Sequence, residues 1–352
     1  MSPEDEQIDP RVERMVRDGL EASYVLAREL KNELAVELDA ARFVIFSDQH
    51  RGVRDSADDF RRCETVYSTA LQHYLDGGHT LIVLGDAEEL WECRPRPVVD
   101  SYTDSLLREA AFHKLQRYIK ISGNHDDYWE TPSKVLELLG PLFGPNLIVR
   151  KNLRLLFRQG QQQMGELFLV HGHQGDYLSD QAGKIARLFV RYLWRPIQRL
   201  TKISLNTPAR DYKLSGEHSI AMYRWAKQKK GLALIAGHTH EPVFESQNHL
   251  ARLEAQLANA QAAGDTVRTA SVSFELERRR TNAGAGGGRA FARTRPCYFN
   301  TGCCAFKDGD ITGIEIAGGT IRLVRWPDDD GSPRAKVLQE ARLLDVFQAV
   351  ST

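Results

Sequence analysis

The sequence predicts an α/β fold in which short buried strands alternate with helices, and three observations predict it. Five apolar runs of four to six residues recur along the chain: RFVIFS at 42–47, TLIVL at 80–84, YIKIS at 118–122, LFLV at 167–170 and LALIA at 232–236. Runs of this length, rich in Val, Ile, Leu and Phe, read as strands covered on both faces. Helical segments fill the stretches between them. Each run also stops at a polar cluster: Asp48, Gly85-Asp86, Gly123-Asn124, His171 or Gly237-His238. Open α/β sheets place ligands beyond the carboxyl ends of their strands, so one pattern predicts both the fold class and the position of the site.

In chain order, residues 10–38 are expected to form one amphipathic helix, with Leu20, Tyr24, Leu26 and Leu30 at roughly helical spacing among charges. Residues 1–40 are therefore read as an N-terminal helical extension, 41–330 as the main domain and 331–352 as a C-terminal tail. Two insertions interrupt the main domain. Residues 178–230 read as a mostly helical cap rich in Arg and Lys. Residues 245–295 start as a polar helix and run into AGAGGG flanked by arginines, a composition that predicts a flexible insertion. CYFNTGC at 297–303 follows, then β-like runs at 311–316 and 320–326 around a Gly-Gly turn. No internal repeat is present.

Composition sets the outer limits. The 352 residues, 42% of them hydrophobic, suffice for one large α/β domain with insertions. Acidic and basic residues balance at 47 each, so net charge gives no support to a polyanion-binding role. The five cysteines fit neither a disulfide framework nor paired CxxC zinc knuckles, which favours a reducing cytoplasmic setting. The start, MSPEDEQIDP, lacks a basic-then-apolar secretion signal. No run of about 18 apolar residues predicts a membrane span.

The polar clusters carry the chemistry. Asp48 and His50, two residues apart at a strand end, can turn toward one point, and carboxylate with imidazole suits Mn, Fe or Zn. Alone, such a pair is common in surface turns. Gly85-Asp86 is followed by Glu88, Glu89 and Glu92; the Asp86 carboxylate has lone pairs enough to bridge two cations. Gly123-Asn124-His125-Asp126 offers a neutral carbonyl donor and an imidazole. His171-Gly172-His173 and Gly237-His238-Thr239-His240 each place two imidazoles on one side of a strand end. Six of the eleven histidines fall in these clusters, far more than isolated surface or core histidines would place there.

Taken in order, DxH, GDxxE, GNHD, HGH and GHTH resemble the signature of the calcineurin-like metallophosphoesterases, from Asp48 to His240, and NTG at 300–302 resembles that family's closing strand. The resemblance implies two mixed β-sheets in a sandwich flanked by helices, with metals at the sheet edges. It implies one metal held by Asp48, His50, Asp86 and His240, and a second held by Asp86, Asn124, His171 and His238. His125 would act as general acid or phosphate contact, Glu89 would orient it, and His173 would line the substrate pocket. The implied cofactor is two divalent ions, manganese first and iron or zinc as alternatives, acidifying a shared water for in-line attack on phosphorus.

Substrate choice is expected to lie in the insertions. IARLFVRYLWRPIQRLTKI at 185–203 mixes large apolar residues with arginines, and Arg191, Arg195 and Arg199 recur every four residues on one helical face. The segment reads either as a cap packed on the core or as a basic, apolar lid at a membrane surface. A helical insertion between HGH and GHTH is also similar to the UDP-2,3-diacylglucosamine pyrophosphatases, whose best-known branch carries arginine at the position of His125. The expected partner is a phosphorylated small molecule or a lipid-linked substrate, with peripheral contact at the inner membrane face. Nucleic acid is disfavoured, since no basic groove with stacking aromatics is visible. GDAEELWE departs from the GDxxDRG form of the protein phosphatases. A catalytically inactive binding scaffold is the reading from a different class; the intact ligand set argues against it.

Overall fold

The computed structural model describes residues 7–174, 212–282, 292–327 and 331–352. Its strands form two seven-stranded mixed sheets. The first sheet runs β1 (Glu33–Glu37), β6 (Asn152–Gln159), β7 (Gln162–Val170), β8 (Leu232–Ala236), β11 (Tyr298–Asn300), β9 (Val243–Phe244) and β10 (Gln247–Asn248). The second runs β14 (Lys336–Arg342), β13 (Thr320–Trp326), β12 (Ile311–Ala317), β2 (Arg42–Phe46), β3 (Thr80–Leu84), β4 (Tyr118–Ile121) and β5 (Val149–Arg150). Parallel pairing joins β2 to β5 in the second sheet and β7, β8 and β11 in the first.

Alternation along each strand explains the near-continuous apolar runs. In β2, Phe43 and Ile45 face the layer between the sheets, beside Ile82, Leu84, Leu155, Leu167 and Ile235. Val44 and Phe46 face outward, onto Val66, Ala70 and Tyr74 of the helix Glu64–Asp76. On the first sheet, Phe168, Val170 and Leu234 pack outward against Val16 and Leu20 of the helix Pro10–Glu29 and Met222 and Trp225 of the helix Tyr212–Lys227. A strand with both faces covered has no use for alternating polar residues. The result is the expected sandwich of two mixed sheets flanked by helices.

Three boundaries differ from the sequence reading. The single helix expected over 10–38 ends at Glu29. Lys31 takes a left-handed backbone (φ 51°), and residues 33–37 leave the helix to pair with β6 as an edge strand. The expected tail at 331–352 is structural: β14 extends the second sheet, and the helix Leu343–Ser351 puts Leu343, Val346 and Phe347 into the inter-sheet core. The 245–295 insertion, expected to start as one polar helix, carries two, His249–Ala262 and Thr266–Asn282, in a hairpin closed by Leu250, Leu253, Val272 and Leu276. Leu250, Leu253 and Leu257 have helical spacing, and so do Val272 and Leu276 of the second helix, which the polar composition around them obscured. Its Gly-rich stretch, and the whole 185–203 segment with Arg191, Arg195 and Arg199, lie outside the described residues. Among the described residues, no helix is long and apolar enough to cross a membrane.

Candidate metal centre

Six strands deliver their carboxyl ends to one place. β2, β3 and β4 bring Asp48, His50, Asp86, Asn124 and His125 from the second sheet, and β7, β8 and β11 bring His171, His238, His240 and Asn300 from the first. The turns are tight. Asp48, His50, Asp86, His238 and His240 all have φ between 49° and 67°. For residues with a side chain this left-handed backbone is strained by about 1 kcal/mol or more each, and such strain collects at functional sites. Two glycines make room. A Cβ on Gly123 would stand 2.1 Å from Asp86 Oδ1, and one on Gly237 would stand 2.6 Å from Asp48 Oδ2.

The donor atoms converge. His240 Nε2 lies 3.1 Å from Asp48 Oδ1 and 3.1 Å from His50 Nε2. Asp86 Oδ2 lies between the two halves, 3.8 Å from His50 Nε2 and 3.1 Å from His171 Nε2. Two groups, Asp48 with His50 and His240, and Asp86 with His171 and His238, each offer three ligand atoms within 4.8 Å of one another. A third group, His50 with Asp86 and His125, meets the same limit; there His125 Nδ1 is already engaged by Glu89 at 2.9 Å.

The residues present fit a cation. Asp48 Oδ1, Asn124 Oδ1, His171 Nε2 and His238 Nε2 are buried and have no hydrogen-bond partner. Asp48 Oδ1 and His171 Nε2 approach His240 and Asp86 to 3.1 Å without making a geometric hydrogen bond. Orphaned buried polar atoms are rare in native proteins because each forfeits its hydration. Meanwhile other atoms of the site's carboxylates and of His171 are engaged. Asp48 Oδ2 accepts from Ser47 Oγ and from His238 N at 3.0 Å. Asp86 Oδ1 accepts from His125 N at 2.8 Å, and His171 Nδ1 meets the Leu84 carbonyl at 2.9 Å. Outer partners of this kind fix the tautomer and aim of metal-binding groups.

Electrostatics agree. Burial opposes charge on Asp48, but His240 and His171 outweigh it and hold the carboxyl well below its usual range. Asp86 is held low in the same way, against burial, by His171 and His125. Burial likewise opposes charge on His171, yet Asp86 and Asp48 raise it to about 9. Burial and then the His171 charge push His173 down to about 3 and His238 well below normal. Without a cation, His171 is held protonated beside the two carboxylates. A cation bound there would compete with that proton, which would couple its binding to pH.

Other residues find definite places. Glu89 holds two imidazoles, His125 Nδ1 at 2.9 Å and His50 Nδ1 at 3.1 Å. His173 lies beside His171, ring centroids 5.5 Å apart. The sequence reading missed Trp91, which stacks flat on His125 (centroids 4.7 Å, planes 18° apart) and donates to the Asn124 carbonyl. It also missed the joint between the sheets, where Ser47 Oγ meets Thr301 Oγ1 at 2.6 Å, and the brace within the first sheet, where Asn300 Nδ2 donates to the Gly237 carbonyl at 2.7 Å. The NTG segment was the available signal for that joint. Lys120, a lone cation inside the apolar run YIKIS, was the signal for the buried charges behind the site.

The sequence profile of the calcineurin-like phosphoesterases matches residues 41–242. The chain belongs to that family. Among solved structures, it is similar to a conserved uncharacterised protein, a predicted phosphoesterase, from Streptococcus pneumoniae TIGR4, at 11% identity and TM-score 0.30, covering 84% of this chain and 97% of that one. It is also similar to Vacuolar Protein Sorting 29 from Cryptosporidium parvum, at 12% identity and TM-score 0.33, covering 86% of this chain and 98% of that one. At these TM-scores neither neighbour bears on the reading of this chain. No curated protein matches it.

Proposed function

We propose that the protein hydrolyses a phosphate ester or pyrophosphate bond with two divalent cations. Asp48, His50, Asp86 and His240 would hold one, and Asp86, Asn124, His171 and His238 the other, with Asp86 shared. Bound there, the cations would supply positive charge at the phosphoryl oxygens and an acidified water. The observation that carries this reading is the set of buried, partnerless donor atoms around Asp86 Oδ2. An all-nitrogen-and-oxygen set admits manganese, iron or zinc, and manganese is the first choice.

The chain's own groups would complete the reaction. His125 is partly exposed, and its Nδ1 is taken by Glu89, which leaves Nε2 for the departing oxygen. Burial opposes its charge, but Glu89 and Asp86 raise its pKa, so the ring holds the proton that a leaving group needs. Trp91 fixes the plane of the ring. Burial keeps His173 neutral, a hydrogen-bonding wall to the pocket rather than a second charge.

For substrate, we propose a phosphorylated small molecule or a lipid-linked pyrophosphate of the UDP-2,3-diacylglucosamine kind, met at the membrane face by the 185–203 segment. The test is a chelator-stripped protein, re-supplied with single metals and screened against phosphomonoesters, phosphodiesters and nucleotide-diphosphate conjugates, including one detergent-solubilised lipid conjugate. Metal-dependent turnover of one class, absent from Asp86→Ala and Asn124→Ala, is the expected result. No metal uptake and no turnover of any class would sink the proposal. Turnover confined to the lipid conjugate would select the lipid reading.

A further inference from the structure

Directly behind the front-facing ligands lies a buried ion cluster that belongs to none of the metal-binding groups. Arg51 and Glu88 pair across an isolated parallel bridge that zips the loop after β2 to the loop after β3. Arg51 Nη1 donates to Glu88 Oε1 at 3.0 Å, and Arg51 Nη2 donates to Glu109. Glu88 Oε2 accepts from Lys120 Nζ at 2.9 Å and from Trp129 Nε1 at 2.8 Å. Lys120 Nζ also lies 3.9 Å from Asp126 Oδ2. Asp126 in turn accepts from the backbone N–H of Gly123 at 2.6 Å and of Ala87 at 3.0 Å. Arg51, Glu88, Glu109 and Lys120 have essentially no solvent exposure.

Withdrawing this many charges from water is a weak way to stabilise a fold, because their desolvation offsets most of the attraction. The cluster does set position. Three of its members neighbour a site residue in the chain: Arg51 follows His50, Glu88 precedes Glu89, and Asp126 follows His125. Extended backbone sends successive side chains to opposite sides. Glu89 therefore reaches His50 and His125 in front, while Glu88 reaches Arg51 and Lys120 behind. Backbone hydrogen bonds tie the same loops: His50 N to the Asp86 carbonyl at 2.9 Å, Glu89 N to the Arg51 carbonyl at 2.9 Å, and Leu90 N to the His125 carbonyl at 3.1 Å.

We propose that Glu88 is a positioning residue that, through Arg51 and Lys120, sets the spacing of Asp86, Glu89 and His125. The kinetic half of this inference rests on the hydrolase reading above; the cation-binding half does not. The test compares the wild type with Glu88→Gln, Lys120→Met and the charge-balanced double variant Glu88→Gln/Lys120→Met. Each is titrated calorimetrically with Mn²⁺ alone after stripping, and assayed on bis(p-nitrophenyl) phosphate, with denaturation curves to establish folding.

Glu88→Gln should lose roughly 10–100-fold in Mn²⁺ affinity and kcat, the range for outer partners of metal ligands, with KM little changed. The double variant should regain stability and not kcat, which separates positioning from simple support of the fold. A folded Glu88→Gln protein with wild-type Mn²⁺ affinity and kcat would overturn the inference. So would losses that track only the unfolded fraction. If the wild type itself fails to turn over any phosphoester, the hydrolase reading falls, while the Mn²⁺ affinities still decide the role of Glu88.

Discussion

The two sheets build their halves of the site by different means. The half from β2, β3 and β4 carries both aspartates, and its loops are locked by the charged cluster of Arg51, Glu88, Glu109 and Lys120. The half from β7, β8 and β11 carries three of the imidazoles and is held by neutral groups: Ser47 with Thr301, Asn300 with Gly237, and Ser215 Oγ with the Thr239 carbonyl at 3.1 Å. The difference follows from the ligands. A carboxylate that is to be shared by two cations, as proposed for Asp86, would have to keep its place against strong opposing forces, and charged hydrogen bonds are about twice as strong as neutral ones. Buried imidazoles are neutral donors for a cation and need only orientation.

The sharpest test of that contrast is also the largest expected effect. Asp86→Ala should drop metal-dependent turnover to the uncatalysed background, because the proposal makes this residue a ligand of both cations. His238→Ala, which removes one donor from one group, should leave measurable turnover at raised manganese. Equal losses in the two variants at saturating metal would remove the asymmetry on which the comparison rests. Second comes the proposed proton donor. His125→Ala should lower kcat by about 10²–10⁴-fold for a substrate with a basic leaving group. It should cost far less for p-nitrophenyl esters, whose leaving group needs no proton. Similar losses for both leaving groups would remove His125 from that role.

Stability then separates the halves directly. Lys120→Met strips one partner from a fully buried pair and should destabilise the protein by about 3–5 kcal/mol. Thr301→Val breaks a neutral hydrogen bond and should cost about 1 kcal/mol. Urea denaturation in the presence of chelator measures both without interference from bound metal. If the two variants lose the same stability, the charged and neutral halves are not held differently.

The same contrast governs what the sequence made legible. The front of the site was readable because its chemistry falls at strand ends: Asp48, Asp86, Asn124, His171 and His238 each follow an apolar run. The back was not. Arg51 directly follows one motif and Glu88 sits inside another, and which of two adjacent glutamates faces the histidines depends on the pleat of an irregular loop. Lys120 was visible as a cation in an apolar strand, but its partners are 32 and 6 residues away in opposite directions, at Glu88 and Asp126. At the fold level, the inter-sheet core was legible from its runs. β1 and β14 were not, because an edge strand with exposed Glu, Lys and Arg has neither the alternation nor the apolar content of a covered one.

The smallest expected effect contrasts the two ends of β3. Asp86 follows its carboxyl end and is surrounded by charge. His79 precedes its amino end, buried against Tyr74 (ring centroids 5.0 Å), with neither ring nitrogen hydrogen-bonded. Burial lowers the pKa of His79; Glu315 opposes that shift, and Arg42 and His73 reinforce it. A histidine with a folded pKa below its unfolded value of about 6.5 binds more protons when unfolded. Its contribution is therefore complete above pH ~6.5 and is lost as pH falls below that value. Asp86 without metal has a depressed pKa, so its contribution is lost only at lower pH, on descending through the carboxylate range. His79→Leu should consequently flatten the fall in stability between pH ~7 and ~5 and leave the loss at lower pH, through the carboxylate range, unchanged. Denaturation midpoints of chelated wild type and variant across that range measure the difference. Parallel curves from pH 7 to 5 would show that the strand's amino end is not acid-sensitive through His79.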